Sequence, residues 1–277
     1  MVKSMKRVKY IPLIIILVLI SSLFYLNSEK YLLNKYNHFS KSNNYERLYD
    51  LFDFKDSNIM SIDKFKEIYK KNKDNVSVIN VSKKIFIFNN YKLKFNSGVV
   101  NNIELLVPSK NNVLIDGKDI EKYLVEDKEY EIYKKYIIDE MFVSKYNISI
   151  SNENAKMEKN FIPNKKTYTF EYNNPKIRVY MFKQKDCPHC IEQGAYMKEL
   201  LNDYSNIFEL VSYEYTDKYD LFMSSLKHFK VQRIGYPLTV IGDDYVFGFG
   251  SSDKTRIKRK IFEAYRNKAT NYVDTIK

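Results

Sequence analysis

Ile177-Arg178-Val179-Tyr180-Met181-Phe182-Lys183-Gln184-Lys185-Asp186-Cys187-Pro188-His189-Cys190 decides how the C-terminal part of this chain is read. Its first six residues are a β-rich run, because β-branched and aromatic side chains fit a pleated, half-buried surface. A short polar loop, residues 183–186, follows, and from Cys187 a helical pattern runs to Leu201. Cys187 therefore falls at a helix N-cap. Pro188 takes the first helical position, where its fixed φ fits and its missing N–H loses nothing. Partial positive charge and free N–H groups at a helix start favour a thiolate at Cys187. Cys190, one turn in, faces the first cysteine and is spaced to resolve a mixed disulfide.

Working outward, residues 207–215 predict a second strand, and Tyr219, Phe222, Met223 and Leu226 mark a helix. Residues 238–241 and 245–249 predict a hairpin around Gly242-Asp243-Asp244, and Ile257, Ile261, Ala264 and Tyr265 give a last helix its buried stripe. The opening strand, the Cys-Pro-His-Cys helix start and the later Gly235-Tyr236-Pro237 before a strand together resemble the thioredoxin superfamily, over about 100 residues.

The resemblance implies an α/β thioredoxin-fold domain over 176–277 and a thiol:disulfide oxidoreductase whose redox pair is Cys187 and Cys190. Pro188 and His189 are the dipeptide of its oxidising, DsbA-type members. Pro237 would be cis, and the Tyr236 backbone would pair with a substrate peptide. Between Cys190 and Pro237 there is room for one strand and one helix, so the inserted helical domain of those oxidising members is absent. No cofactor is implied beyond the redox-active disulfide Cys187–Cys190. The sequence departs from thioredoxins at Met181, six residues before the first cysteine, where they carry a buried carboxylate. Asp186, beside Cys187, reads as a solvated loop residue. A metal role for the pair needs two more ligands, and the sequence has no second Cys-x-x-Cys or His cluster, leaving a zinc site shared by two copies as the metal alternative.

At the other end, residues 10–26 are apolar apart from Tyr, Pro12 and two serines, and follow Lys3, Lys6, Arg7 and Lys9. They predict a transmembrane signal anchor over 10–27 behind a basic cytoplasmic tail, 1–9, with the rest of the chain extracytoplasmic. A cleaved signal peptide is the competing reading. Cleavage favours small residues, and no Ala occurs before Ala155. Export makes a disulfide chemically durable. A loop as short as Cys-x-x-Cys closes little unfolded-state entropy, so stapling is a weak reason for the pair.

Between these ends, apolar residues at helical spacing over 29–52 predict two helices, and Phe65, Ile68 and Tyr69 a third. Strands are expected at 76–81, 84–88, 91–95 and 99–107, then near 112–115 and 146–150. Helices followed by a curved antiparallel sheet resemble, by order of elements alone, the nuclear-transport-factor-like α+β domain. The expected organisation is an α+β domain at 30–110, a small β-rich extension and linker at 111–175, and the thioredoxin-like domain. Most of 151–175 reads as connector, with 167–172 an edge strand. The fold class expected for the chain is an α+β N-terminal region plus an α/β thioredoxin-fold C-terminal domain, after one N-terminal transmembrane helix. His38, with no second ligand beside it, reads as a surface helix residue.

The formal net charge of +12 divides as +4 over 1–30, +4 over 31–175 and +4 over 176–277, so no folded region carries a concentrated excess. With no recognisable motif, nucleic-acid binding is excluded. The densest basic cluster, residues 254–260, reads as a solvated helix face, with anionic lipid or cell-wall polymer as the sharper alternative. The expected partners are thiols or disulfides of exported proteins. His189 favours a role in forming or isomerising disulfides. A reductant of extracytoplasmic disulfides is the alternative, and it would need electrons from a membrane redox partner. A further alternative makes the α+β region the working part, binding envelope partners that the redox domain serves.

Overall fold

The computed structural model describes residues 11–56, 58–81, 89–126, 132–153 and 155–276. It corrects the expected fold class: the chain is α+β with several sheets, and among the described residues no single helix is long and apolar enough to cross a membrane. Helix α1, Ile11–Leu26, has 16 residues. Over these described residues, at 1.5 Å per residue, that is about 24 Å, short of a hydrocarbon core of roughly 30 Å. The helix stops because Ser28 turns extended, with φ −97° and ψ 153°, and caps α2, Glu29–Lys41, by accepting the Tyr31 N–H. The axes of α1 and α2 are bent by 60° at this break.

The chain divides into two compact units that are not contiguous in sequence. Unit 1 holds 1–104, 138–147 and 160–167; unit 2 holds 105–137, 148–159 and 168–277.

In unit 1, α2 is followed by α3, Tyr45–Tyr49, and α4, Ile62–Asn72, with Ser61 at the N-cap of the latter. Strands β1, Val76–Asn80, and β2, Tyr91–Phe95, pair antiparallel. The expected strand at 84–88 lies outside the described residues. Leu48, Phe52, Met60, Phe65, Ile68, Leu93, Phe95 and Phe142 form one buried cluster. Phe52 stacks on Phe95 at 4.5 Å between centroids, and Phe65 packs edge-on against Phe52 at 5.2 Å. With no Trp in the chain, phenylalanine edges and faces do the filling.

Two four-stranded sheets come next in sequence. Strands β3, Val99–Pro108, β4, Asn112–Ile115, β5, Lys118–Asp119, β6, Leu124–Glu126, β7, Tyr133–Phe142, β8, Tyr146–Ser151, β9, Lys156–Phe161, and β10, Thr167–Thr169, sort into the orders β10-β3-β7-β6 and β5-β4-β8-β9.

The last sheet lies wholly in unit 2. Strands β11, Ile177–Lys183, β12, Phe208–Glu214, β13, Leu238–Ile241, and β14, Asp244–Phe247, take the order β12-β11-β13-β14. β11 runs parallel to β12 and antiparallel to β13. Helix α5, Pro188–Tyr204, leads from β11 to β12, and α6, Tyr219–His228, leads from β12 towards β13. Helices α7, Ser251–Arg266, and α8, Tyr272–Thr275, close the chain. Strand periodicity assigns the two faces. Tyr180 and Phe182 pack with Phe222, Leu226 and Val273 from α6 and α8, while α7 packs on β11, β13 and β14. Both faces are covered, which is why Val179 to Phe182 are buried without a break.

The segment expected to be mostly connector is held tightly. Arg266 at the end of α7 gives Glu171 a two-pronged ion pair, with Nε to Oε1 at 3.0 Å and Nη2 to Oε2 at 2.6 Å. The Tyr265 hydroxyl donates to the Tyr172 carbonyl at 2.7 Å and accepts the Asn174 N–H at 3.0 Å. Tyr168, Phe170 and Tyr172 are buried at alternate positions.

Candidate redox site

The loop leaving β11 turns on Asp186, whose φ of 59° puts it in the left-handed region that Asp tolerates better than most residues. The Cys187 N–H donates to the Gln184 carbonyl at 3.3 Å, closing the turn. Cys187 then sits at the N-cap with φ −77° and ψ 117°, and its carbonyl accepts the Ile191 N–H at 3.0 Å, the first bond of α5. Pro188 occupies the first helical position.

The two sulfurs are 2.7 Å apart, and the hydrogen bond runs from the Cys190 thiol to Cys187 Sγ. The Cys190 backbone N–H also donates to Cys187 Sγ, at 3.3 Å. Cys187 is half-buried and Cys190 is 3% exposed. Burial first, then the bond to Cys187, pushes the Cys190 thiol up to about 12. The pair is thus unequal: one sulfur is reachable and accepts two hydrogen bonds, and the other is sequestered and held as a thiol.

The remaining expected residues divide. The Tyr236–Pro237 peptide bond is cis. Pro237 is buried, and its carbonyl accepts the Gly248 N–H at 2.8 Å. The Tyr236 ring lies 4.4 Å from that of Tyr215 and 5.3 Å from that of Phe222. Burial, the hydroxyl bond with Tyr215 and the charge of nearby groups, Cys190 among them, push the Tyr236 phenol up to about 12. Tyr236 is therefore within electrostatic reach of the cysteine pair. His189 is exposed, and among the described residues it makes no hydrogen bond to either sulfur. A Cβ on Gly235 would come 2.8 Å from the far edge of the Phe247 ring, so a side chain there would require that ring to shift.

Met181 is buried on β11 and pairs across the strands with Thr239. Sequence reading missed the polar group on this side. Gln193 of α5 is fully buried and its Nε2 donates to Thr239 Oγ1 at 2.6 Å. The signal was available: Cys190, Gln193, Met197 and Leu200 fall on one helical stripe, and only Gln193 is an amide.

Among the described residues no group of three or more His, Cys, Asp or Glu could hold a metal ion. The basic cluster on α7 is partly engaged: Lys254 and Lys258 lie over the rings of Tyr196 and Tyr204, at 5.6 and 4.9 Å, and Lys260 pairs with Asp244. Compared with family models, curated proteins and solved structures, the chain finds no match.

Proposed function

We propose that residues 176–277 form a thiol:disulfide oxidoreductase of the thioredoxin type, which forms or isomerises disulfides in exported proteins through Cys187 and Cys190. One observation carries this reading: two sulfurs of unequal character touch at the start of α5, the half-exposed Cys187 accepting and the buried Cys190 donating. Two-step exchange needs a sulfur open to the partner and a second within bonding reach behind it. The cis bond before Pro237 and the strand order around β11 support the same reading.

In the disulfide-forming direction, a substrate thiolate attacks Cys187 Sγ of the oxidised pair. The Cys187–Cys190 bond breaks, and its electron pair leaves on Cys190, which takes a proton. A second substrate thiolate attacks the substrate sulfur of the mixed disulfide, and Cys187 departs. Two electrons have passed to the pair, the substrate has gained a disulfide, and an external protein or small-molecule disulfide resets the pair. Met181, buried where thioredoxins carry an acid, offers no proton acceptor to a reductant, which favours formation or isomerisation. The basic start and the apolar residues that follow it support export, with substrates outside the cytoplasm.

The test uses the oxidised full chain and a reduced, unfolded secreted protein such as ribonuclease. Disulfide formation should follow the chain stoichiometrically and vanish with Cys187→Ala. Equal formation by the variant would sink the reading.

A further inference from the structure

The exchange steps leave one buried polar pair unused. Gln193 and Thr239 are both fully buried and bonded to each other. Among the described residues, Gln193 Oε1 is buried with no hydrogen-bond partner. Leaving such an acceptor unmet costs about 1–3 kcal/mol, so an apolar side chain of similar size would make the more stable helix stripe. That imbalance asks for a role.

Position supplies one. Gln193 lies one helical turn beyond Cys190 on the same face of α5. Thr239 lies two residues beyond Pro237, on the same face of the strand that leaves the cis bond. The bond between them therefore ties the helical turn after Cys190 to the strand that follows Pro237.

Once Cys187 is bonded to a substrate, its sulfur no longer serves the Cys190 thiol as it does in the dithiol state. We propose that Gln193, held by Thr239, is a positioning residue whose free carbonyl oxygen takes up the Cys190 thiol at that stage and, being neutral, makes resolution wait on a base from solvent. This rests on the redox reading above. The step balances. Solvent base removes the Cys190 proton, the thiolate attacks Cys187 Sγ, the Cys187–substrate bond breaks, and the electron pair leaves on the substrate sulfur, which is protonated. An amide cannot take that proton, whereas a carboxylate at the same position could. The other groups that act on Cys190 are Cys187 on its own helix, the Gln184 backbone in the loop before it, Glu214 on β12, which is paired with Lys183 at 3.1 Å, and Tyr236, which is bonded to Tyr215.

The experiment follows the reduced full chain reacting with dithiobis-nitrobenzoate, in which attack by Cys187 releases one coloured thiolate and resolution by Cys190 releases a second. Gln193→Glu should speed the second phase by about tenfold or more near neutral pH and add an inflection to its pH profile, leaving the first phase within about twofold. Thr239→Val should slow the second phase at every pH without changing the profile's shape. If both variants superimpose on the wild type in both phases, the proposal is overturned. Should Gln193→Glu fail to fold, Thr239→Val decides alone, an unchanged second phase overturning the proposal. Absence of any second release from the wild type would instead defeat the redox reading, and a Cys190→Ala control yielding one release confirms which phase is which.

Discussion

The sulfurs of Cys190 and Cys187 lie 2.7 Å apart, and the Cys190 backbone amide donates to Cys187 Sγ at 3.3 Å. The two cysteines are separated by one helical turn and differ in exposure and in the hydrogen bonds their sulfurs make.

The first consequence is for trapping. Cys190→Ala should accumulate mixed disulfides between Cys187 and substrate proteins, since the resolving sulfur is gone. Cys187→Ala should accumulate few, because Cys190 is only 3% exposed. Equal trapping by both, read on non-reducing gels, would contradict the assignment.

A second consequence concerns pH. The Cys190 thiol is raised to about 12, first by burial. An acid raised on folding stabilises the reduced protein fully below its unfolded value, near 8.5, and the contribution is lost as pH rises through the folded value. Reduced protein should therefore weaken in urea melts taken between about pH 9 and pH 10, below the range in which the buried tyrosines contribute, and Cys190→Ala should show a shallower slope over that window. A reduced wild type as flat with pH as the variant would refute the shift.

Strand β11 and the helix start were legible because their signals are local: an apolar run, a polar loop, a cysteine and a proline in cap positions. The missed strand β7 is a case of tertiary context overriding pattern. Lys134 and Glu140 are buried within it, Lys134 ion-paired with Glu121 at 3.5 Å and Glu140 accepting the Lys55 N–H at 3.1 Å, so polar residues interrupt its apolar alternation. Most of 151–175 reads as connector because Asn and Lys dominate it; the edge strand expected at 167–172 falls on β10, whereas β9, whose Met157 and Phe161 are its buried residues among polar ones, carries no clear alternation. The apolar N-terminal run suggested a membrane span, but its helix ends where Ser28 caps the next one. Gln193 showed in the sequence as the one amide on the buried stripe of α5, but its pairing with Thr239 was not legible, since the two are distant in sequence.

The Glu171–Arg266 pair tests how firmly the segment before β11 is bound. Arg266 and Glu171 side chains are 6% and 15% exposed. Glu171→Gln leaves a buried guanidinium without its counter-charge and should cost about 3 kcal/mol in urea unfolding. A loss under about 1 kcal/mol would mean that the pair is solvated in solution.

Gly242 opens the β13–β14 hairpin with φ 62°, and a Cβ there would meet Cβ of Ala269 at 2.9 Å and of Ala264 at 3.2 Å. Its carbonyl also accepts the Tyr272 N–H at 2.9 Å. Backbone strain and overpacking act together, so Gly242→Ala should destabilise by about 2 kcal/mol or more, with a lower Tm. An unchanged Tm would show that the turn relaxes freely.

The central claim, that Cys187 and Cys190 cycle as a disulfide-forming couple, is tested most directly by equilibrating the full chain against glutathione and reading the fraction oxidised. The account predicts a single two-electron couple with a potential above about −270 mV, the value for thioredoxin. Because His189 makes no hydrogen bond to either sulfur among the described residues, His189→Gly should lower it by no more than about 30 mV, a tenfold change in the equilibrium constant. A wild-type potential at or below about −270 mV, or a titration that fits no two-electron couple, would contradict the account.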